Sequence, residues 1–359
     1  MSEVPSRRQF LSGQALRDEL ARAGKELADR LAESQEREPP AGGDTVRLGK
    51  TAMACDVEVI MNPGPAAQIV AASAALDRID ELEAQLSAYR PHSELTLLNQ
   101  RAGTEAVTVE KELFELLARA AEISRATDGA FDPTAGPFVA LWRACRNAGR
   151  LPTEEELRFT RQSVGCEHLV FDHERQALSY LVEGLQFNLG AIGKGHILDR
   201  AGQVMADAQV GDWMIHAGFS SILSRGGHNG AQGWPVGIRN PLFPDRNFAT
   251  LVLRDRGMST SGSGVQFFRH AGQRYGHILD PRTGWPVDGM LSVTVVAPTA
   301  EEADALSTAF FVLGVEKAYL YCHNQPLIGA LLIPTPKRGA RLEPIVCNIP
   351  DDDLFFAPN

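Results

Sequence analysis

The chain has 359 residues, 44% hydrophobic and 22% charged, with a formal net charge of −10. This length can bury a full core in one large domain or two modest ones, and the acidic balance argues against a nucleic-acid footprint. No run of about 18 apolar residues occurs, so no transmembrane helix is expected, and the five scattered cysteines contain no CxxC pair, which argues against a disulfide framework or a zinc site.

At the N-terminus, Ser6-Arg7-Arg8-Gln9-Phe10-Leu11 is similar to a twin-arginine export motif. The segment that follows, Ser12 to Lys25, is charged and amphipathic, whereas a secretory signal needs an apolar stretch and a small-residue cleavage site. It reads as a surface helix reaching about Gln35, and cytoplasmic residence is expected. Glu36 to Gly43 is rich in charge, Pro and Gly and reads as a linker. Residues 1–43 are therefore taken as an extension and 44–359 as the functional domain.

A strand is predicted around Ala52–Met61, where Val57, Val59 and Met61 alternate with Asp56, Glu58 and Ile60. Pro63-Gly-Pro65 ends it. Ala66 to Tyr89 carries a helical stripe of Ile69, Ala72, Leu76, Ile79 and Leu82, and Val109 to Thr127 a second one of Leu113, Leu116, Leu117, Ala120 and Ile123. Val170–Asp172 and Ala177–Leu181 read as a hairpin pair, and Lys194–Ala208 as a third helix. Short strands are expected at Trp213–His216, Ile222–Ser224, Pro235–Ile238, Ala249–Leu253 and Leu291–Ala297, with another at Ile328–Ile333. Helices interleaved with antiparallel strands indicate an α+β fold.

Between the last two strands, Thr299 with Glu302 three residues later forms a capping-box pattern that starts a helix, and Gly314 supplies a stop. Leu306, Ala309, Phe310 and Leu313 take its buried stripe. Asp304 and Thr308, four apart, share one face. A carboxylate beside a hydroxyl suits a hard cation such as Mg²⁺; the competing reading is a well-capped core helix with Asp304 solvated near its positive end.

Four loops can carry chemistry. Asn188-Leu-Gly190-Ala191-Ile-Gly193-Lys194-Gly195-His196 is a Gly-rich turn entering a helix, which offers N–H groups to a phosphate. It matches neither a Walker A loop nor G-x-G-x-x-G, and a plain Gly turn with a surface lysine is its other reading. Met258-Ser-Thr-Ser261-Gly262-Ser263-Gly264 groups hydroxyls and glycines suited to phosphate or flavin contacts, or is simply a polar loop. In Tyr275-Gly-His277-Ile-Leu-Asp280-Pro-Arg-Thr-Gly284, His277 closes a short strand before a turn, where it can act as a general base or serve structure alone. Thr127 to Pro137 is a rigid Gly/Pro loop in which Phe131 faces a cofactor ring or plugs the core.

Taken in order, these segments resemble the ApbE family, the FAD:protein FMN transferases. The resemblance runs from about Ala52 to Gly314. It rests on Ala52-Met53, on Tyr89-Arg-Pro-His-Ser93-Glu94-Leu95-Thr96-Leu-Leu-Asn99, and on Asp128-Gly-Ala-Phe131-Asp132-Pro133-Thr134. It continues through Leu189-Gly-Ala-Ile-Gly-Lys194-Gly195 with Asp199, Ser261-Gly262, His277-Ile-Leu-Asp280-Pro-Arg-Thr-Gly284, and Ala303-Asp304-Ala-Leu-Ser-Thr308-Ala. The resemblance implies an α+β fold with two related β-α-β modules and mainly antiparallel sheets. It implies Mg²⁺-dependent transfer of FMN from FAD to a Ser or Thr hydroxyl of an acceptor protein, with release of AMP. Carried over, the metal falls to Asp304, Thr308 and the carbonyl of Ala191, and flavin and adenine contacts fall to Met53, Tyr89, Phe131, Asp132, Lys194 and Ser261. His277 becomes the base for the acceptor hydroxyl.

The chain departs from the family pattern at Ala54-Cys55, at Phe219-Ser220-Ser221 and at Ser263-Gly264, and has Asn188 for a common Asp and Gly193 for a common Ala. A flavin-binding relative without transfer and an FAD pyrophosphatase are the alternatives.

Overall fold

The structure is a computed structural model that describes residues 43–264, 267–336 and 341–357, together with Leu20, Arg22 and Gly24. The arginine pair, most of the predicted N-terminal helix and the linker up to residue 42 lie outside the described residues.

In chain order, a hairpin of β1 (Val46–Ala52) and β2 (Cys55–Met61) leads into helix α1 (Ala66–Leu86) and the short α2 (Glu94–Arg101). After β3 (Val107–Thr108) come α3 (Lys111–Ala126), α4 (Gly136–Asn147) and α5 (Glu154–Arg161), then the hairpin β4 (Leu169–Asp172) and β5 (Ala177–Tyr180). Helix α6 (Gly193–Asp207) precedes β6 (Trp213–Ala217), β7 (Ser221–Arg225), β8 (Trp234–Arg239), β9 (Asn247–Leu253) and β10 (Gly257–Gly262). The small hairpin β11 (Phe267–His270) and β12 (Gln273–Gly276) is followed by β13 (Met290–Ala297), α7 (Ala300–Asn324), β14 (Gly329–Pro334), β15 (Ile345–Cys347) and β16 (Leu354–Phe356).

One eight-stranded sheet, ordered β1-β2-β6-β7-β10-β13-β14-β15, organises the domain, and every adjacent pair in it is antiparallel. The α+β expectation with mainly antiparallel sheets therefore holds. Two neighbouring strand pairs of this sheet, β2/β6 and β13/β14, are each joined through helical chain.

Period-two alternation gives the sheet two different faces. On β14, Ala330 and Leu332 join the large core under α1, α6 and α7, while Leu331 and Ile333 join a smaller core with Val236, Ile238 and Leu251 of β8 and β9. Helices thus cover one face, and the three-stranded sheet β16-β9-β8 covers the other.

Local signals account for the helix starts. Ser93 accepts from the amide of Thr96 to cap α2, and Thr153 with Glu156 forms a complete capping box on α5. Thr299 accepts from the amide of Glu302 at 3.1 Å, so α7 begins where the sequence places it. Its end differs: Gly314, at φ 76°, breaks the helical path, but helix resumes to Asn324. Only glycine adopts that conformation freely, so the residue redirects the helix without stopping it. Ile69, expected in the buried stripe of α1, is 48% exposed, while Ala72, Ile79 and Leu82 are fully buried.

Candidate active site

Helix α7 lies against the start of α6 with almost no space between backbones. A Cβ on Gly195 would sit 2.1 Å from the carbonyl oxygen of Ala300, and one on Gly257 would sit 2.3 Å from the Ala300 amide nitrogen. Both positions require glycine for this close approach. Two side chains occupy three free amides at the helix start. Asp199 accepts from Ala300 at 2.8 Å and from Glu301 at 2.9 Å, and Thr299 accepts from Glu302.

Glu301, also buried, receives a two-pronged bond from Arg119 at 2.7 and 3.0 Å and lies 2.7 Å from His196 Nδ1. Burial alone pushes the Glu301 carboxyl up, but the His196 and Arg119 contacts override it and hold the group down at about 2. Asp199 goes the other way: burial pushes it up to about 7, against the two amides that favour its ionised form.

This clamp places Asp304 one turn into α7, only 5% exposed. Its carboxylate accepts from the Gly195 amide at 3.1 Å, from Ser221 Oγ at 3.2 Å and from Ser259 Oγ at 2.9 Å. The solvated reading of Asp304 is therefore excluded. Ser307 Oγ donates to the Asp304 carbonyl and lies 2.9 Å from Ser261 Oγ, which is itself 3.2 Å from Thr308 Oγ1.

The hydroxyl-rich stretch at Met258–Gly264, read as a loop, is largely strand β10. Its alternation turns Ser259 and Ser261 toward α7 while Met258 packs on the opposite face. The sequence assigns no site role to Ser221, which it marks only as a departure from the family pattern, or to Ser259 and Ser307. For Ser221 and Ser259 the signal is this period of two, with hydroxyls on the helix-facing side of two adjacent strands, and for Ser307 it is the helical spacing of three from Asp304.

Lys194, on the first turn of α6, hydrogen-bonds to Ser220 Oγ in the β6–β7 turn. The predicted Lys194 turn, Ser261, Asp304 and Thr308 thus converge, and Ala191 lies in the same turn. The departures from the family pattern cluster beside them. Met53 and Ala54 form the two-residue β1–β2 turn with φ values of 53° and 55°, as a type I′ turn requires. The neighbouring Cys55 lies so close to Gly218 that a Cβ there would approach its Cβ to 2.8 Å. Phe219, at φ 60°, is 61% exposed; it stacks on His216 with centroids 5.0 Å apart, and the Arg239 guanidinium sits 5.0 Å from its ring. At Gly193 an added Cβ meets only Leu189 Cβ at 3.4 Å, so the glycine-for-alanine departure is sterically neutral.

A second group of predicted residues gathers around α4. Arg143 donates to the Tyr89 hydroxyl at 2.9 Å, with its guanidinium also 4.8 Å from the ring centroid. The adjacent Trp142 donates to the Gly284 carbonyl at 2.7 Å and packs against Tyr275, with centroids 5.9 Å apart. His277 is exposed two residues after Tyr275, immediately beyond β12. The stem of the β11–β12 hairpin connects this group to Ser261, since Arg274 bonds back to the carbonyl of Ser263.

Phe131 and Asp132 are turned inward. Phe131 is a buried member of the large core. Asp132 Oδ1 accepts from the amide and hydroxyl of Thr134 at 2.8 and 2.6 Å, and burial raises its carboxyl against those two bonds. No hydrogen bond among the described residues joins Tyr89, Phe131 or Asp132 to the Asp304 group.

A buried carboxylate surrounded by hydroxyls, beside a helix start carrying a lysine, defines a centre suited to a metal-assisted phosphoryl chemistry. The ApbE family matches residues 52–332, and the chain belongs to that family. Among its relatives, the FAD:protein FMN transferase of Treponema pallidum (strain Nichols) is 35% identical over 297 residues, which is 76% of this chain and 80% of that protein. The FAD:protein FMN transferase of Escherichia coli (strain K12) is 31% identical, over 68% of this chain and 70% of that one. The crystal structure of the ApbE protein from Thermotoga maritima superimposes with a TM-score of 0.75 at 28% identity, covering 84% of this chain and 96% of that one. The flavin transferase ApbE from Vibrio cholerae gives 0.74 at 27%, covering 85% and 97%.

Proposed function

We propose that this chain moves FMN from FAD to a Ser or Thr hydroxyl of an acceptor protein, releasing AMP. The observation that carries the proposal is the buried Asp304 carboxylate, which has no ion-pair partner among the described residues and is ringed by Gly195 N–H and hydroxyls next to Lys194. A buried charge without a counter-charge is costly, and a hard cation with phosphate oxygens would compensate it.

The donor set fits Mg²⁺, which takes few protein ligands and completes its shell with substrate phosphates. The protein's share of the ligands would be the Asp304 carboxylate, the Thr308 hydroxyl and the Ala191 carbonyl. Mg²⁺ bound there would supply charge neutralisation on the diphosphate. Lys194 adds positive charge from the start of α6, oriented by Ser220. The β1–β2 turn at Met53 and the exposed Tyr89 offer surfaces for the flavin and adenine rings. Phe131 and Asp132 act through the loop they hold in place. His277 takes the proton of the acceptor hydroxyl, whose oxygen bonds to the FMN phosphorus as the phosphorus–oxygen bond to AMP breaks.

The test is incubation with FAD, Mg²⁺ and candidate acceptor proteins. The expected result is AMP release matched by a covalent, fluorescent flavin on the acceptor. AMP with free FMN would select pyrophosphate cleavage alone, and intact bound FAD would select flavin binding without transfer.

A further inference from the structure

The β11–β12 hairpin is a two-stranded sheet of its own, rooted between the Ser261 strand and the proposed base His277. One stem leaves β10 at Ser261 and Gly262, beside Thr308, and the other returns through Tyr275 and Gly276 into His277. From Gly257 to Leu279 the chain carries Arg269, Arg274 and two histidines and no carboxylate. Helix α4, packed against the hairpin through Trp142 and Tyr275, adds exposed Arg143 and Arg146, and the chain from Pro133 to Thr153 is likewise free of acids. Of the flanking carboxylates, Asp280 pairs with Arg282 at 2.8 Å and Glu156 with Arg150 at 2.7 Å, while Glu154 and Glu155 are exposed at the start of α5. On a chain of net charge −10, this face is a local reversal of sign. Phe267, 43% exposed, lies between Arg274 at 4.2 Å and Arg269 at 5.5 Å from its ring.

We infer that the hairpin and α4 form the docking face for the acceptor, and that the segment they take is an acidic stretch flanking the modified Ser or Thr. The inference rests on the proposed transfer reaction for its purpose, but the binding can be measured apart from it. Complementary charge steers an acidic segment to this face, and the hairpin root delivers its hydroxyl beside His277 and the Ser261–Thr308 contact. Arginine beside an exposed aromatic ring suits a carboxylate-rich partner with an apolar residue among its acids. The overall negative charge of the molecule turns such segments away elsewhere, which makes the patch selective.

The probe is a set of fluorescent peptides of about twelve residues, each with one central Thr, flanked by acidic, neutral or basic residues. Anisotropy should show the acidic peptide binding at least about tenfold more tightly at roughly 0.05 M salt, with the preference lost near 0.5 M. Arg146→Glu with Arg269→Glu, both at exposed positions, should abolish or reverse the preference, while FAD-dependent AMP release stays at the wild-type rate. Arg269→Gln, a milder change, should reduce the preference part-way. Equal affinity for all three peptides, tighter binding of the basic one, or an acidic preference untouched by charge reversal overturns the inference. Acidic-peptide binding with no flavin transfer to any acceptor would leave the docking face standing and remove the transferase reading instead.

Discussion

Asp304 is the residue on which the chemistry depends. Its side chain shares a helical face with Thr308, as the spacing in the sequence indicates, but its burial and its three donors come from Gly195, Ser221 and Ser259, far away in the chain. Asp304→Asn keeps the shape and removes the charge, so Mg²⁺-dependent AMP release from FAD should fall by about 10²–10³-fold, measured by chromatography of the nucleotide products with folding checked by circular dichroism. Ala54 offers a test of strain. At φ 55° an L-residue is disfavoured, and Ala54→Gly should stabilise the protein by about 0.5–1 kcal/mol after the entropic cost of glycine is deducted. Urea unfolding reads this directly, and an unchanged midpoint would mean that the hairpin turn carries no strain.

The start of α7 joins two carboxylates with opposite pH behaviour. Glu301 is held at about 2, below its usual range, so its favourable contribution is present above about pH 4.5 and is lost as pH falls toward 2. Asp199 is raised by burial to about 7, so its ionisation penalises the fold, and stability drops as pH rises from about 4 through 7. Each effect is on the order of 3–4 kcal/mol. Urea titrations across this range should therefore show Glu301→Gln losing most, relative to wild type, above pH 4.5. The stability of Asp199→Asn, relative to wild type, should rise between pH 4 and 7. The same element shows what the sequence could and could not reveal. Thr299 and Glu302 announced the helix start, and the period of 3.6 announced Leu306, Ala309 and Phe310. The capping box at Thr153–Glu156 carries the same signal for α5, and Ser93 caps α2, although neither helix is among those expected from the sequence. Strand β10 was hidden because Ser and Gly weigh toward loop in local composition, whereas its neighbours in the sheet override that preference. Gly314, expected to stop the helix, only redirects it, because whether chain beyond a glycine resumes as helix depends on packing that local sequence does not encode.

At the scale of the molecule, one sheet separates two cores with different tasks. The helix-covered face holds Asp304, Lys194 and the hydroxyl strands, and the opposite face holds Leu331, Ile333 and the β8–β9 layer. Leu331→Ala should cost about 2–4 kcal/mol yet leave the AMP-release rate per folded molecule unchanged, measured by urea midpoint and by activity at a temperature well below unfolding. A parallel loss of rate would mean that the sheet transmits the defect through its plane. The order of the ApbE motifs along the chain was legible because each falls at a turn or helix start whose chemistry is local. Their convergence was not, because it depends on strand order in a sheet whose neighbours β7 and β10 are separated by the whole β8–β9 layer. That outlying layer gives the enzyme a back as well as a front. A tether or fluorophore fixed to its solvent side would hold the molecule on a surface while the flavin-handling side stays open to its clients.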